Sequence, residues 1–277
     1  MRAEALRVAR DADVIVCAMG ESSEMSGESS SRSDLTLPDI QMSLLKELVA
    51  TGKPVVLLNF SGRPTVMTWE SRHVPAIMNV WFGGSEAADA IADVLFGDKV
   101  PSGKLTMTMP AATGQVPIYY NHLPTGRPVP DGAKDYRKYQ SNYLDVRNDP
   151  LYPFGYGLSY TTFAYSDLKL SKGTLAPGGS VRATVTVTNT GSRDGYEVVQ
   201  MYIHDRAARI SRPVKELKGF SRIHLAAGES KDVSFDITPE LLKYYDSSLR
   251  YGIDPGEVEI MVGPDSRNLK KAVLNVE

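Results

Sequence analysis

Apolar positions in the first hundred residues follow two rhythms. Short unbroken runs, ADVIVCAMG (12–20), PVVLLNF (54–60) and PAIMNVWF (75–82), predict strands buried on both faces. Between them, PDIQMSLLKELVA (38–50) repeats apolar residues at helical spacing through Ile40, Leu44, Leu45 and Leu48, with Gly52 suited to the helix end. SEAADAIADVLFG (85–97) predicts a second helix, capped by Ser85 and ended at Gly97. Strands alternating with helices predict a mostly parallel sheet covered on both faces. Such sheets gather their ligands at the loops that follow the strand C-termini.

The rhythm then changes. Residues 101–160 are rich in Pro, Gly, Tyr and Asn and hold neither period, so they read as an extended connector. From about 164 the period is two: Val181, Ala183, Val185 and Val187 alternate with Arg182, Thr184, Thr186 and Thr188. EVVQMYIHD, SKDVSFDIT and GEVEIMVG repeat the pattern between turn signals, which predicts an antiparallel β-sandwich.

Composition narrows the function classes. The 277 residues suit two domains, and a formal net charge of −2 with scattered basic residues argues against nucleic acid as a partner. No apolar run approaches the roughly 20 residues that span a bilayer, so no membrane partner is expected. The start, MRAEALRVARDADVIV, reads as an amphipathic helix running into a strand, without the apolar core of a secretory leader. Cys17 is the single cysteine and reads as a buried structural thiol. Four dispersed histidines without metal-ligand spacing, and no phosphate-binding glycine loop, predict neither metal nor cofactor.

The chemistry concentrates in ESSEMSGESSSRSD (21–34), directly after the first strand run. On composition the loop is a solvated Ser/Gly segment. Its alternative reading makes one of Glu21, Glu24, Glu28 or Asp34 a proton shuttle. Glycoside hydrolysis needs two carboxyl groups about the scissile bond, one to protonate the departing oxygen and one to attack carbon or activate water. A loop can carry the proton donor because it can close over sugar. Arg32 reads as a loop-anchoring ion pair. Trp81 and Phe82, ending a strand run, read as packing residues, and so does the aromatic set Tyr152, Phe154, Tyr156, Tyr160 and Phe163. Ser85 on its strand-to-helix turn resembles a nucleophile elbow, but the simpler reading is a helix cap.

The loop EMSGESSSRSDLTLP resembles the acid/base loop of glycoside hydrolase family 3. TGKPVVLLNFSGRP (51–64), WFGGSEAADAIADVLFGDKVPSGKL (81–105), GQVPIYYNHLPTGRP (114–128), LYPFGYGLSYTTF (151–163), VTVTNTGSRDGYEVVQMY (185–202) and SRPVKELKGF (211–220) follow in that family's order, over essentially the whole chain. The resemblance implies an α/β sandwich domain, N-terminally incomplete, over 1–125, a connector over 126–163 and a fibronectin type III-like β-sandwich over 164–277. It implies a retaining, exo-acting β-glucosidase of the periplasmic type, without an organic cofactor, acting on a β-glucoside or oligosaccharide. Glu28 matches the family's acid/base glutamate, with Glu24 as the fallback. The nucleophile aspartate belongs to a (β/α)8 barrel outside this sequence, so the chain alone is expected to be inactive. A sheet short of strands is expected to self-associate as a homo-oligomer. The alternative reading is a non-catalytic module that binds glycan or protein.

Overall fold

The computed structural model describes every residue except 131 and 134, two positions of the predicted connector that lie outside the described residues. The described chain forms two compact units. The first holds Met1–Phe96, Met109–Pro117 and Tyr143–Tyr152; the second holds Gly97–Thr108, Ile118–Asn142 and Pro153–Glu277.

The first unit is built on a three-stranded parallel sheet, β1 (Ile15–Gly20), β2 (Val55–Phe60) and β3 (Ala76–Asn79), in the order β1-β2-β3. Its helices are α1 (Arg2–Asp11), α2 (Asp39–Val49), α3 (Glu70–His73) and α4 (Ala87–Phe96). Gly52 and Gly97 take positive φ just past α2 and α4, at 77° and 85°, as their places at helix ends predict. The core joins Ala9 of α1 and Leu45 and Leu48 of α2 to Ile15, Cys17, Val55 and Leu57 of the sheet. Cys17 is buried there, and burial pushes its thiol up from the ordinary value.

The sequence predicts strands covered on both faces, and here the structure differs. Burial alternates along β1: Ile15 and Cys17 face the core, whereas Val14 and Val16 are each 51% exposed. No residue of α4 is buried. The strand predicted over 75–82 ends at Asn79, and Trp81 turns the chain sharply at φ 53°. The reason is topological: β1 and β3 are the sheet's two edges, and α1 and α2 cover one face.

The second unit contains a β-sandwich, together with residues 97–108 and 118–142, which are expected from sequence in the first domain and the connector. Strands β4 (Phe163–Tyr165), β5 (Lys169–Leu170), β6 (Thr174–Leu175), β7 (Val181–Asn189), β8 (Gly195–Asp205), β9 (Glu216–Leu225), β10 (Ser230–Ile237), β11 (Tyr244–Tyr245), β12 (Tyr251–Gly252), β13 (Gly256–Gly263) and β14 (Lys270–Val276) follow in order. One sheet runs β10-β7-β4, with β5 also on β7; the facing sheet runs β6-β14-β13-β8-β9. Val181, Ala183, Val185 and Val187 bury their side chains against Val199, Met201, Ile203, Ile260 and Leu274. The outward residues of β7 pair across to β10: Thr184 with Ser234, Thr186 with Asp232 and Thr188 with Ser230.

The aromatic-glycine stretch lies along this sandwich. Phe154 stacks on Tyr120, which meets the buried ring of Tyr202 edge-on. Gly155 sits at φ 79°, and a Cβ there would lie 2.1 Å from Gln200 Oε1. The Gln200 amide uses that space, donating to the carbonyls of Gly155 (3.1 Å) and Pro264 (2.6 Å). Beside it, Lys104 Nζ reaches the carboxylate of buried Glu197 at 3.1 and 3.3 Å, and the Tyr165 hydroxyl donates to the same group. Burial pushes the Glu197 carboxyl up; Lys104 pulls it back in part.

Candidate active site

Parallel strands open their C-terminal ends on one edge, and the loops after β1 and β2 meet there. Gln41 of α2 fixes the exit from β1: its amide donates to Gly20 O at 2.9 Å, and its Oε1 accepts from Gly20 N–H at 2.8 Å. The next amide, Glu21 N–H, donates to Phe60 O at 2.8 Å, tying the start of the first loop to the end of β2.

Glu21 turns inward and its side chain is 1% exposed. Ser61 Oγ donates to it at 2.7 Å, Arg32 Nη1 at 3.1 Å and Arg63 Nε at 3.1 Å. Burial opposes ionisation of this carboxyl, but the Ser61 hydroxyl and the two guanidiniums together outweigh it and hold it below the usual carboxylate range. Arg32, read from sequence as a loop anchor, is one: its partners are Glu21 and Thr36 O.

The rest of the loop hangs from this knot. Residues Ser23–Met25 form one 3₁₀ turn that carries the exposed Glu24. Ser30 N–H then donates to Gly27 O at 3.2 Å, closing a turn with Glu28 and Ser29 as its central pair. Ser29 holds φ 62°, an uncommon conformation for a non-glycine residue that this turn requires. Glu28 thus stands exposed at the first corner, with no hydrogen bond or ion pair shown for its carboxylate among the described residues. Beyond it, Asp34 accepts from both the backbone and hydroxyl of Thr36 at 2.9 Å, and Leu35 and Leu37 are buried. The segment is therefore fixed at both ends and free at its tip.

Arg63 and Gly62, from the loop after β2, lie against the turn. A Cβ on Gly62 would come within 2.2 Å of Ser26 Oγ and 2.8 Å of the Phe82 ring, so a larger residue would force both side chains to move. Ser23, Ser26, Ser30, Arg63 and Phe82 line an open hollow of about 830 Å³ here. Phe82 is 55% exposed, which corrects its reading as a packing residue: the turn at Trp81 swings it out of the sheet and onto the hollow's wall. Trp69 by contrast stacks on His73 with Lys46 above it. Ser85 is exposed and precedes α4, and the Ala87 amide there donates to Gly84 O. Among the described residues no group of three or more His, Cys, Asp or Glu is placed to hold a metal ion, and no helix is long and apolar enough to cross a membrane.

Sequence reasoning counted Glu21 among the loop carboxylates and missed its role as the hub. It missed Arg63 and Ser61 altogether. The available signal was positional: SGR directly follows β2, as the Glu21 loop directly follows β1, and the two strands are neighbours.

Residues 1–160 match the glycosyl hydrolase family 3 C-terminal domain, and 197–266 match a fibronectin type III-like domain. The chain is 50% identical to a periplasmic beta-glucosidase of Salmonella typhimurium over 268 residues, 97% of this chain and 35% of that protein. It is 41% identical to a beta-xylosidase of Formosa agariphila over 276 residues, 99% of this chain and 37% of that one. The solved structure of a beta-glucosidase from Listeria innocua in complex with gluconolactone superposes with a TM-score of 0.93 at 41% identity, covering 99% of this chain and 38% of that one. The chain spans a little over a third of the length of these relatives.

Proposed function

Because this chain belongs to glycoside hydrolase family 3, we propose that it carries the acid/base half of a retaining, exo-acting β-glucosidase site, with Glu28 as the acid/base residue. The nucleophile aspartate would come from a (β/α)8 barrel, the chain's main partner in the working enzyme. Glu28 protonates the glycosidic oxygen as the bond to the anomeric carbon breaks and the aspartate attacks. The resulting Glu28 carboxylate then takes a proton from water, which displaces the aspartate and releases glucose with retained configuration.

The observation that carries this reading is the place of Glu28: an exposed carboxylate at a turn corner, on a loop braced at both ends beside an open hollow at the strand C-termini. Glu24 lies on the 3₁₀ turn before it, and Glu21 is buried and committed to two arginines. A β-glucoside is favoured over a β-xyloside because the glucosidase relative is 50% identical and the xylosidase 41%. The name of the same relative supports a periplasmic site of action.

The test uses the polypeptide that joins this chain to its barrel. Glu28→Gln should lower kcat/KM on a phenyl β-glucoside by about 10²–10⁴-fold while leaving glucose affinity nearly unchanged. Turnover within tenfold of the parent would rule Glu28 out.

A further inference from the structure

Arg63 makes three charge-assisted contacts in three directions. Its Nε donates to Glu21 at 3.1 Å, and its Nη2 donates to Met25 O at 2.6 Å and to Ser30 O at 2.9 Å. Met25 lies three residues before Glu28 and Ser30 two residues after it. One guanidinium therefore holds both shoulders of the Glu28 turn and fixes them to the buried Glu21 carboxylate, directly after β1. The Arg63 side chain is 19% exposed, so its fork is mostly out of water. No backbone hydrogen bond joins 25 to 30 directly, and the turn's own closure is the single Gly27–Ser30 bond of 3.2 Å.

We propose that Arg63 is a positioning residue for proton transfer, setting where Glu28 stands relative to the glycosidic oxygen. The inference rests on the reading of Glu28 as the acid/base residue. Its physical basis is the geometry of the guanidinium. Three acceptors in fixed directions suit a rigid planar fork, whereas a lysine ammonium is a single, closer-set nitrogen that can keep its attraction to Glu21 but cannot serve that carboxylate and both carbonyls together. With the shoulders released, Glu28 remains present and ionisable but samples positions away from the leaving oxygen. A misplacement of about 1 Å at a reacting group costs roughly 100-fold in rate.

A lost or misplaced proton donor leaves a signature that general damage does not. The bond to a basic leaving group breaks slowly without a proton, whereas dinitrophenolate departs without one. In the barrel-containing enzyme, Arg63→Lys should lower kcat/KM for phenyl β-glucoside by about 100-fold and for dinitrophenyl β-glucoside by less than about threefold. Water activation in the second step also suffers, so kcat and KM on the dinitrophenyl substrate should fall together. Sites are counted by the dinitrophenolate burst from a 2-deoxy-2-fluoro-glucoside, so rates refer to folded enzyme even if the variant is less stable. Glu28→Gln is run beside it. If Glu28→Gln shows the leaving-group dependence and Arg63→Lys loses rate equally on both substrates, or loses none, the positioning role is overturned and the Glu28 reading stands. If Glu28→Gln itself lacks that dependence, the Glu28 reading fails and the inference with it.

Discussion

Replacing Glu21 with glutamine removes one negative charge and almost no volume, so its effect isolates the ionic knot beneath the loop. The carboxylate accepts from Ser61, Arg32 and Arg63, and the glutamine can keep the Ser61 contact through its amide oxygen. What is lost is the charged partner of two guanidiniums. A hydrogen bond to a charged group contributes about 1.5–3 kcal/mol. The arginine side chains are 21% and 19% exposed, so water compensates them in part and the low end applies, about 2 kcal/mol for the exchange. Both tryptophans of the chain, Trp69 and Trp81, lie in the first unit, so tryptophan fluorescence follows that unit alone during urea unfolding. At pH 7 Glu21→Gln should lower its unfolding free energy by about 2 kcal/mol at unchanged urea slope. The sign of the pH dependence is fixed by the direction of the shift. The Glu21 carboxyl lies below its ordinary value of 4.5 in the folded chain, so its contribution is complete above that value and disappears as pH falls through the lower folded value. The two proteins should converge in acid. A difference under about 0.5 kcal/mol at pH 7, or one that does not shrink in acid, would refute the account of the knot.

Two further expectations concern the sandwich. Lys104→Met leaves the Glu197 carboxylate buried with only the Tyr165 hydroxyl, and should cost about 3 kcal/mol at pH 7 by calorimetry of the unfolding of the second unit. Burial already raises the Glu197 carboxyl, so the ionised form is what the fold resists, and the loss should be smaller near pH 4, where protonation relieves it. Gly155→Ala combines a left-handed φ of 79° with a Cβ 2.1 Å from Gln200 Oε1, and should destabilise by about 3 kcal/mol, read as a lowered Tm for the unfolding of the second unit.

Much of the fold was readable because it rests on periodicity. The alternation Val181, Ala183, Val185, Val187 is a local pattern that any two-sided sheet imposes, and the helix over 39–49 needed only its own 3.6-residue spacing. The uncovered face of β1 was not readable, since Val14 and Val16 are as apolar as their buried neighbours and differ only in what packs against them. The loop divides in the same way. Glu28 is singled out only by the motif around it. The brace was not readable, because Arg63 meets Met25 across 38 positions and Ser30 across 33, and no local rule pairs an arginine with distant carbonyls. Phe82 was misread because a single backbone angle at Trp81 decides which way it faces.

The makeup of the Glu21 knot bears on how the activity of the whole enzyme is to be read. Its cations are arginines, which stay charged throughout the working range of proteins. Its anion loses its proton below the ordinary glutamate value. Nothing in the brace therefore changes charge between mild acid and mild alkali. The stage on which Glu28 stands is electrically constant over that range. On the proposed reading of Glu28, an inflection of the pH–rate curve in that range would therefore not arise from the Glu21 brace itself.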